Sequence, residues 1–283
     1  MGPSSTACTR SVGDVSMLNS ILKHSPILFV SFLLASAAGA DEHRPHDSGL
    51  HFSHPLVSES PSPDSKIRAD YALMKETNEE DALIHRVDLI GEYAPARWVS
   101  VEIALPYTIA DRDEEANRHN LDNMEVALKL ASFAFEDEGL LLGGGLEVGL
   151  PTGNSSNDIG SDRLVMIEPF VDFGLKRAGF ELVGFLKFGF PANENSDDPD
   201  WELGWNASLL YHATPWLEPI LEFDGERVWG GEEDGETVAH VSPGFKLKPL
   251  ADSDFKIGTG ISLPITNDEE FDLRWLLSVF YHF

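Results

Sequence analysis

The last thirteen residues read FDLRWLLSVFYHF, from Phe271 to Phe283, and they alternate with a period of two. Every odd-numbered position is apolar, whereas the even-numbered positions include Asp272, Arg274 and His282. Successive side chains of a β-strand point to opposite faces. This stretch therefore predicts a strand with one continuous apolar face.

The same alternation recurs along most of the chain after residue 65. In residues 140–150, for example, leucine and valine side chains share one face, while Glu147 and glycines occupy the other. Each segment has about the 9–11 residues that a tilted membrane-spanning strand requires. We predict twelve strands, which begin near Lys66, Leu83, Trp98, Asn123, Gly139, Leu164, Phe180, Glu202, Trp216, Val238, Phe255 and Phe271.

The connections between these strands alternate in length. Short ones fall at 95–97, 136–138, 177–179, 213–215 and 249–254, and long ones at 107–121, 151–163, 191–201 and 225–237. Short turns at one end and long loops at the other, with an even strand count, are typical of bacterial outer-membrane barrels. We therefore predict an all-β fold for residues 66–283. It is a closed antiparallel up-and-down transmembrane β-barrel of about twelve strands in the bacterial outer membrane, with both termini on the periplasmic side.

The alternation by itself leaves the direction of the apolar face open. A secreted soluble β-sandwich or jelly roll would bury that face, and it is the alternative fold. Aromatic residues near the predicted strand ends favour an apolar outer face, because such residues form the interfacial girdles of membrane barrels. They include Tyr93, Trp98, Tyr107, Phe190, Trp201, Trp216, Trp275 and Tyr281.

Residues 1–40 have the features of an export signal peptide. Residues 27–35 form an apolar run that is interrupted by Ser31, and Ala38-Gly39-Ala40 is a small-residue cleavage site. The mature chain would begin at Asp41 and would lose Cys8, the one cysteine. We therefore expect no disulfide bonds.

Acidic side chains far outnumber basic ones, and the formal net charge is −28. This charge argues against nucleic acid and against anionic membrane surfaces as partners. The expected partners are outer-membrane lipids and lipopolysaccharide, the barrel assembly machinery and an unidentified small solute. No cofactor is expected.

The polar face of the strands carries the candidate functional residues. If this face lines a water-filled lumen, its carboxylates would favour cations. The predicted function is passive passage of small solutes, cationic or aromatic and hydrophobic, and the alternative is a non-conducting structural or surface-interaction barrel. The predicted channel-lining residues are Glu102, Glu125, Lys129, Glu147, Glu168, Asp172, Glu181, Lys187, Glu202, Glu222 and Arg274.

Residues 41–65 form a histidine-rich stretch before the first strand, which we interpret as a periplasmic tail or as a plug that enters the lumen. Imidazole and carboxylate groups at short spacing can bind zinc or copper. Nothing in the sequence fixes such a geometry, so no metal site is assigned here. The candidate ligands would be His43, His46, His51 and His54.

Two further expectations concern single residues. No Gly-x-Ser-x-Gly motif occurs, and Ser132 and His85 both fall on the outward face, so no enzymatic activity is predicted. Pro169, Pro219 and Pro243 lie inside predicted strands, where proline removes a ladder hydrogen bond. We expect β-bulges at these prolines.

The end of the chain resembles the assembly signal of outer-membrane barrels. The residues that carry this resemblance are Trp275, Leu277, Val279, Tyr281 and the terminal Phe283. The resemblance implies insertion by the outer-membrane assembly machinery.

Residues 51–283 resemble transporter barrels of the phenol-degradation MetA-pathway type. The resembling segments are HFSHPL (51–56), SESP (58–61), KIRADY (66–71), ALPY (104–107), GLPTG (149–153) and IEPF (167–170). The resemblance implies a barrel that exports or takes up a small solute, and it implies no catalytic residues.

Overall fold

The computed structural model describes residues 49–283, apart from 77–81, 113–116, 194–197, 232, 251–252 and 269–270. The predicted signal peptide, His43 and His46 lie outside these residues. Within them no helix is long and apolar enough to cross a membrane. The strands are β1 (Lys66–Glu76), β2 (Ala82–Ala96), β3 (Val99–Arg112), β4 (Arg118–Leu121), β5 (Met124–Phe135), β6 (Leu140–Leu150), β7 (Met166–Arg177), β8 (Phe180–Pro191), β9 (Trp201–Tyr211), β10 (Leu217–Trp229), β11 (Thr237–Leu247), β12 (Phe255–Pro264) and β13 (Leu273–His282).

The strands form one sheet that closes on itself. Each strand from β5 to β13 pairs antiparallel with its neighbours, β13 pairs with β1, and the pairings of β1 with β2 and of β2 with β3 complete the circle. Strands β4 and β5 pair with the two halves of β3 and so occupy one position in the barrel. The fold is therefore the predicted closed antiparallel barrel of twelve strands.

The outer surface of this barrel is apolar. Large aliphatic and aromatic side chains are exposed on the outward face of nearly every strand, and Val171, near the middle of β7, is 55% exposed. The alternating inward positions are polar or charged at many places, such as Ser100, Lys129 and Glu181, and they are buried. The apolar face of the strands therefore points outward, as predicted. The alternative, a soluble sandwich that buries this face, is wrong.

The two ends of the barrel differ. At one end, here called the short-turn end, brief connections join β2 to β3, β5 to β6 and β7 to β8. Both ends of the barrel chain also meet there, because the amide of Phe283 donates to the carbonyl of Ser65 at 3.0 Å. The opposite, long-loop end carries the connections of residues 151–165, 192–200 and 230–236.

The prolines inside strands do not produce the expected bulges in the described ladders. Pro169 lies opposite Leu146 in an unbroken register with β6, and pairing with β8 is missing at residues 168–169. Pro219 and Pro243 likewise keep the register with one neighbour and lack pairing with the other. Proline has no backbone N–H to donate. The ladder therefore loses one hydrogen bond on one side of the strand and then continues. The register shifts lie instead at residues 93–96 and 132–135, beside short turns.

Residues 49–65, here called the inner segment, contact inward-facing groups of the barrel. Phe52 is fully buried, and its ring lies 2.7 Å from where a Cβ on Gly174 of β7 would stand. Part of the inward face around this segment is apolar, although the channel-lining residues predicted for that face are all charged. Inward apolar side chains can be buried there because the inner segment fills the space between them. The buried apolar cluster consists of Phe52, Leu56, Ala72, Leu141, Val183, Leu210, Ile220, Leu276 and Phe280.

Candidate channel lumen

Glu222 of β10 binds the backbone of the inner segment. Its Oε1 accepts a hydrogen bond from the amide of Leu56 at 2.6 Å, and its Oε2 accepts one from Ser58 at 3.2 Å. The amide of Val57 lies 3.2 Å from both oxygens, and the hydroxyl of Ser208 donates to Oε2 at 3.0 Å. The carboxylate is fully buried, and these donors replace the water that it has lost.

Other strands hold the same segment by its backbone. Glu181 of β8 accepts a hydrogen bond from the amide of Ser53 at 2.7 Å. Lys246 of β11 donates to the carbonyl of His54 at 2.8 Å. An irregular buried segment must find partners for its N–H and C=O groups. Charged side chains from several strands supply them here, which fixes the inner segment against the barrel wall.

The side chain of Leu56 occupies a pocket formed by glycines. Ideal Cβ atoms on Gly258, Gly244 and Gly260 would lie 2.3, 2.7 and 3.0 Å from its methyl carbons. Real Cβ atoms do not approach other atoms so closely, so any larger residue at these positions would displace Leu56. The glycines of β11 and β12 therefore make room for one side chain of the inner segment.

A buried charge network joins the inner segment to β1, β2 and β3. The ammonium of Lys66 lies 2.6 Å from Glu92, 3.0 Å from Glu102 and 3.2 Å from Glu59 of the inner segment. Lys129 of β5 adds a second cation, 3.4 Å from Glu92. Each buried charge thus has an opposite charge in contact, which buried ions require.

The charge state of the inner segment follows from this network. Burial alone would raise the pKa of Glu59, but Lys66 and Lys129 outweigh it and hold the pKa well below its usual range. Burial, followed by the neighbouring charge of Lys66, lowers the pKa of His54 well below its ordinary value. At neutral pH Glu59 is therefore ionised and His54 is uncharged.

Towards the long-loop end the inward face is acidic. Glu147 of β6 lies directly opposite Glu168 of β7, and Glu202 of β9 lies directly opposite Gly189 of β8. We call Glu147, Glu168 and Glu202 the acidic row. Lys187 contacts two of its members, with Nζ 2.9 Å from Glu147 and 2.9 Å from Glu168. The row thus brings three carboxyl groups and one ammonium to the same part of the inward face.

The charged groups on β10, β11 and β13 are more evenly paired. Arg274 of β13 lies 3.5 Å from Asp224 and donates to the hydroxyl of Ser262 at 3.1 Å. His240 contacts Asp224 at 3.1 Å and stacks on Phe271, with the ring centroids 4.5 Å apart. Asp224 thus has both Arg274 and His240 beside it, whereas Lys187 is the cation seen against two members of the acidic row.

The predicted channel-lining residues separate into groups in the structure. All eleven are on the inward face, and their lining of a conducting path stays a prediction. Towards the short-turn end lie Glu102, Lys129, Asp172, Glu181 and Glu222; with or beside the acidic row lie Glu125, Glu147, Glu168, Lys187 and Glu202; on β13 lies Arg274. Asp172 stands over Gly143, and both of its oxygens are buried without a hydrogen-bond partner among the described residues.

Several residues at the centre of this arrangement were not among those predicted. Lys66 and Glu92 have the strand parity of inward residues, so period-two alternation could have found them. Glu59 and Asp64 belong to the inner segment, which has no periodicity that would reveal its contacts. Nothing local in the sequence connects them to residues of the barrel.

The residues of the predicted assembly signal all lie on the outward face of β13 or at its end. They are Trp275, Leu277, Val279, Tyr281 and Phe283. Strand β13 is held on both sides, by β12 and by β1. The recognition of these residues by the assembly machinery stays a prediction.

No protein-family model and no curated protein sequence matches the chain. Solved structures match it by fold. The COG4313 outer membrane channel from Pseudomonas putida F1 superposes with a TM-score of 0.63 at 13% sequence identity, over 86% of this chain and 100% of that chain. The NanC porin gives a TM-score of 0.55 at 9% identity, over 77% of this chain and 100% of its own.

A third match is the translocator domain of the autotransporter NalP from Neisseria meningitidis, with a TM-score of 0.51 at 10% identity, over 95% of this chain and 97% of that domain. At these identities the likeness concerns the fold. The outer-membrane barrel fold and the apolar outer surface place the chain in the bacterial outer membrane, as predicted. The resemblance to phenol-degradation MetA-pathway transporters is not confirmed by any of these matches.

Proposed function

We propose that this chain is an outer-membrane channel through which small solutes pass passively, with a preference for cations. The acidic row carries this proposal: Glu147, Glu168 and Glu202 face the lumen with Lys187 as the cation in contact. Rows of carboxylates in a pore attract cations and repel anions. The likeness of the fold to outer-membrane channels and porins also supports a transport role rather than an enzymatic one.

An aromatic pair beside the acidic row extends the proposal to organic cations. Phe170 and Phe185 point inward on β7 and β8, and their rings stack with centroids 5.2 Å apart. Phe170 lies directly opposite Lys187 in the ladder. The faces of aromatic rings attract cations, so a solute that combines positive charge with an apolar body fits this part of the lumen.

The inner segment would close the channel at the short-turn end, which we assign to the periplasmic side. Phe52 and Leu56 bury apolar side chains there, and Glu222 binds three consecutive amides. Conduction would then require the segment to leave these contacts. The proposed domain organisation is a signal peptide (1–40), a stretch of residues 41–65 that includes the closing segment, and the barrel (66–283).

The second candidate is a non-conducting structural or surface-interaction barrel. It is favoured by the extent to which the inner segment is bonded to the wall, with side chains of β8, β10 and β11 holding its backbone. In either case we propose outer-membrane lipids, lipopolysaccharide and the barrel assembly machinery as partners. The apolar outer surface and the C-terminal pattern support these partners.

Planar-bilayer recordings in a potassium chloride gradient test the proposal. We expect discrete conductance steps and a reversal potential towards that of potassium. Replacing Glu147 and Glu168 by Gln together should move the reversal potential towards zero, whereas neutralising the exposed Asp137 and Glu138 of a short turn should leave it unchanged. An unchanged reversal potential in the first variant contradicts cation selection by the row. Absence of conductance even after Leu56→Ala and Glu222→Gln favours the non-conducting barrel.

A further inference from the structure

Three imidazole rings converge on one carboxylate oxygen at the short-turn end. The Nε2 atoms of His51, His282 and His54 lie 3.0, 3.2 and 3.3 Å from the same oxygen, Oδ2 of Asp64. His51, His54 and Asp64 belong to the inner segment, and His282 is the last residue of β13. The ring centroids of His54 and His282 are 5.5 Å apart.

These separations match the edges of a tetrahedral metal site. Zinc binds imidazole nitrogen and carboxylate oxygen at about 2.0–2.1 Å, so two ligand atoms in a tetrahedral site lie about 3.3 Å apart. The ligand atoms of His54, Asp64 and His282 all fall within 4.8 Å of one another. A small contraction would therefore bring these two nitrogens and one oxygen onto a single ion. His51, whose Nε2 lies 3.0 Å from the same oxygen, is the candidate for the fourth ligand.

Hydrogen bonds to Asp64 satisfy the Nε2 atoms of His51 and His54 but not that of His282. The Nδ1 of His282 faces the carbonyl oxygen of Asp254 at 3.5 Å, and donation to that oxygen would leave Nε2 with a lone pair directed at Asp64. This Nε2 is buried and has no hydrogen-bond partner of acceptable geometry among the described residues. A lone pair and a carboxylate oxygen 3.2 Å apart repel each other unless a cation lies between them. A second ring nitrogen that donates to a carbonyl is also the usual support of a metal-binding histidine.

His54 can also offer its Nε2. The ammonium of Lys66 has three N–H groups, and three carboxylates, those of Glu59, Glu92 and Glu102, lie within 3.2 Å of it. Lys66 therefore does not need the Nδ1 of His54 as an acceptor. Nδ1 of His54 lies 3.2 Å from that ammonium and 4.0 Å from Glu59. If the N–H groups of Lys66 turn to its three carboxylates, Nδ1 can carry the proton and Nε2 is left for a metal.

The burial of the group suits a site with an entrance. The side chains of His54 and Asp64 are 1% and 7% exposed, that of His282 is 20% exposed and that of His51 is 42% exposed. A metal ion could reach the inner ligands past His51. On the side that faces the barrel lumen, the buried side chains of His54 and Asp64 would enclose the ion.

We propose that His51, His54, Asp64 and His282 form a binding site for a divalent transition-metal ion of the zinc class. Nitrogen-rich ligand sets with one carboxylate select such ions over magnesium and calcium. Because three ligands lie in the inner segment and one lies in the last strand, the bound ion clamps the segment to the barrel wall. The site does not depend on whether the barrel conducts.

The test uses the purified full chain in detergent, stripped of metal with a chelator. Titration with cobalt(II) should produce the intense visible absorption of a tetrahedral site, and zinc should bind with one saturable heat and displace the cobalt. His51→Ala and His282→Ala should each weaken zinc binding by about tenfold or more. Heat-modifiability on gels shows whether each variant has folded.

His43→Ala combined with His46→Ala is the matched control, because it removes two imidazoles from the same stretch of sequence. This double variant should keep the affinity for zinc. Absence of saturable binding to the unaltered chain overturns the proposal, as does binding that survives His51→Ala but is lost in the double variant. If His282→Ala does not fold, His51→Ala, at a half-exposed position outside the strands, decides the result.

Discussion

The buried carboxylate of Glu222 accepts a hydrogen bond from the backbone amide of Leu56, with 2.6 Å between the nitrogen and Oε1. One residue belongs to the barrel wall and the other to the segment that precedes it. The contact therefore joins two parts of the chain that are separate in sequence. The same carboxylate also binds the amides of Val57 and Ser58, so one side chain of the wall holds three consecutive residues of the inner segment.

Replacing Glu222 by Gln should loosen the inner segment. An amide can accept hydrogen bonds on one side only, so at least one backbone N–H would face an NH₂ group. Loss of a buried hydrogen bond to a charged group costs about 1–3 kcal/mol. We expect the fraction of time that the channel is open in planar bilayers to rise. Glu125→Gln, which removes a carboxylate beside the acidic row, should leave that fraction unchanged, and an equal rise in both variants would contradict the account.

Replacing Gly258 by Ala should displace Leu56. The new Cβ would stand 2.3 Å from a methyl carbon of Leu56, whereas a Cβ on Gly91 would meet nothing within 4 Å. Gly91→Ala is therefore the matched control for a glycine substitution in a strand. We expect faster protease cleavage within residues 49–65 in the first variant only. Adding Leu56→Ala to Gly258→Ala should relieve the clash and restore slow cleavage. Equal cleavage of the Gly258 and Gly91 variants, or no relief in the double variant, would argue against this pocket.

Replacing Lys187 by Gln should strengthen the preference for cations. It removes the cation that contacts Glu147 and Glu168, at 2.9 Å from each, and leaves the carboxylates of the acidic row. The reversal potential in a potassium chloride gradient should move further towards that of potassium, and more so at low salt, where screening is weaker. Lys75→Gln is the control, because it removes the same charge from a half-exposed side chain at the long-loop end. It should leave the reversal potential nearly unchanged. A shift towards chloride in the Lys187 variant would contradict the prediction.

Replacing Val171 by Arg should destabilise the barrel strongly. Val171 is 55% exposed near the middle of β7, where an arginine facing lipid costs about 2–4 kcal/mol. Trp98 is 56% exposed at the short-turn end, where the cost falls to about 0–1 kcal/mol. Each arginine variant is compared with alanine at the same position by denaturant unfolding in lipid vesicles. Equal costs at the two positions would be inconsistent with the proposed depth of the barrel.

The strands and their outward faces could be predicted from the sequence, because each depends on alternation within about ten residues. Leu105, Leu146 and Phe223 all face outward as their parity requires. The acidic row could be predicted only as inward-facing. That Glu147 lies opposite Glu168 depends on the register between strands, which hydrophobic patterns do not fix to a single residue.

The inner segment could not be placed from the sequence. It lacks periodicity, and its contacts with Glu181, Glu222 and Lys246 join residues more than one hundred positions apart. The inward apolar residues Leu276 and Phe280 interrupt the alternation of β13. Their apolar character is explained by the inner segment, which lies against them. The convergence of His51 and His54 on His282 could not be predicted for the same reason. These residues meet only because the barrel closes and brings β13 beside the inner segment.

A disulfide between the inner segment and the barrel wall tests whether this segment closes the lumen. In a chain with Cys8→Ser, Leu56→Cys and Gly258→Cys, the two new thiols would face each other, because the side chain of Leu56 reaches the position of a Cβ on Gly258. Single-channel conductance is recorded before and after a reductant is added, with mass spectrometry to verify the bond. We expect the oxidised protein to stay closed and reduction to restore channel opening. Equal conductance in the oxidised and reduced protein would contradict closure of the lumen by the inner segment.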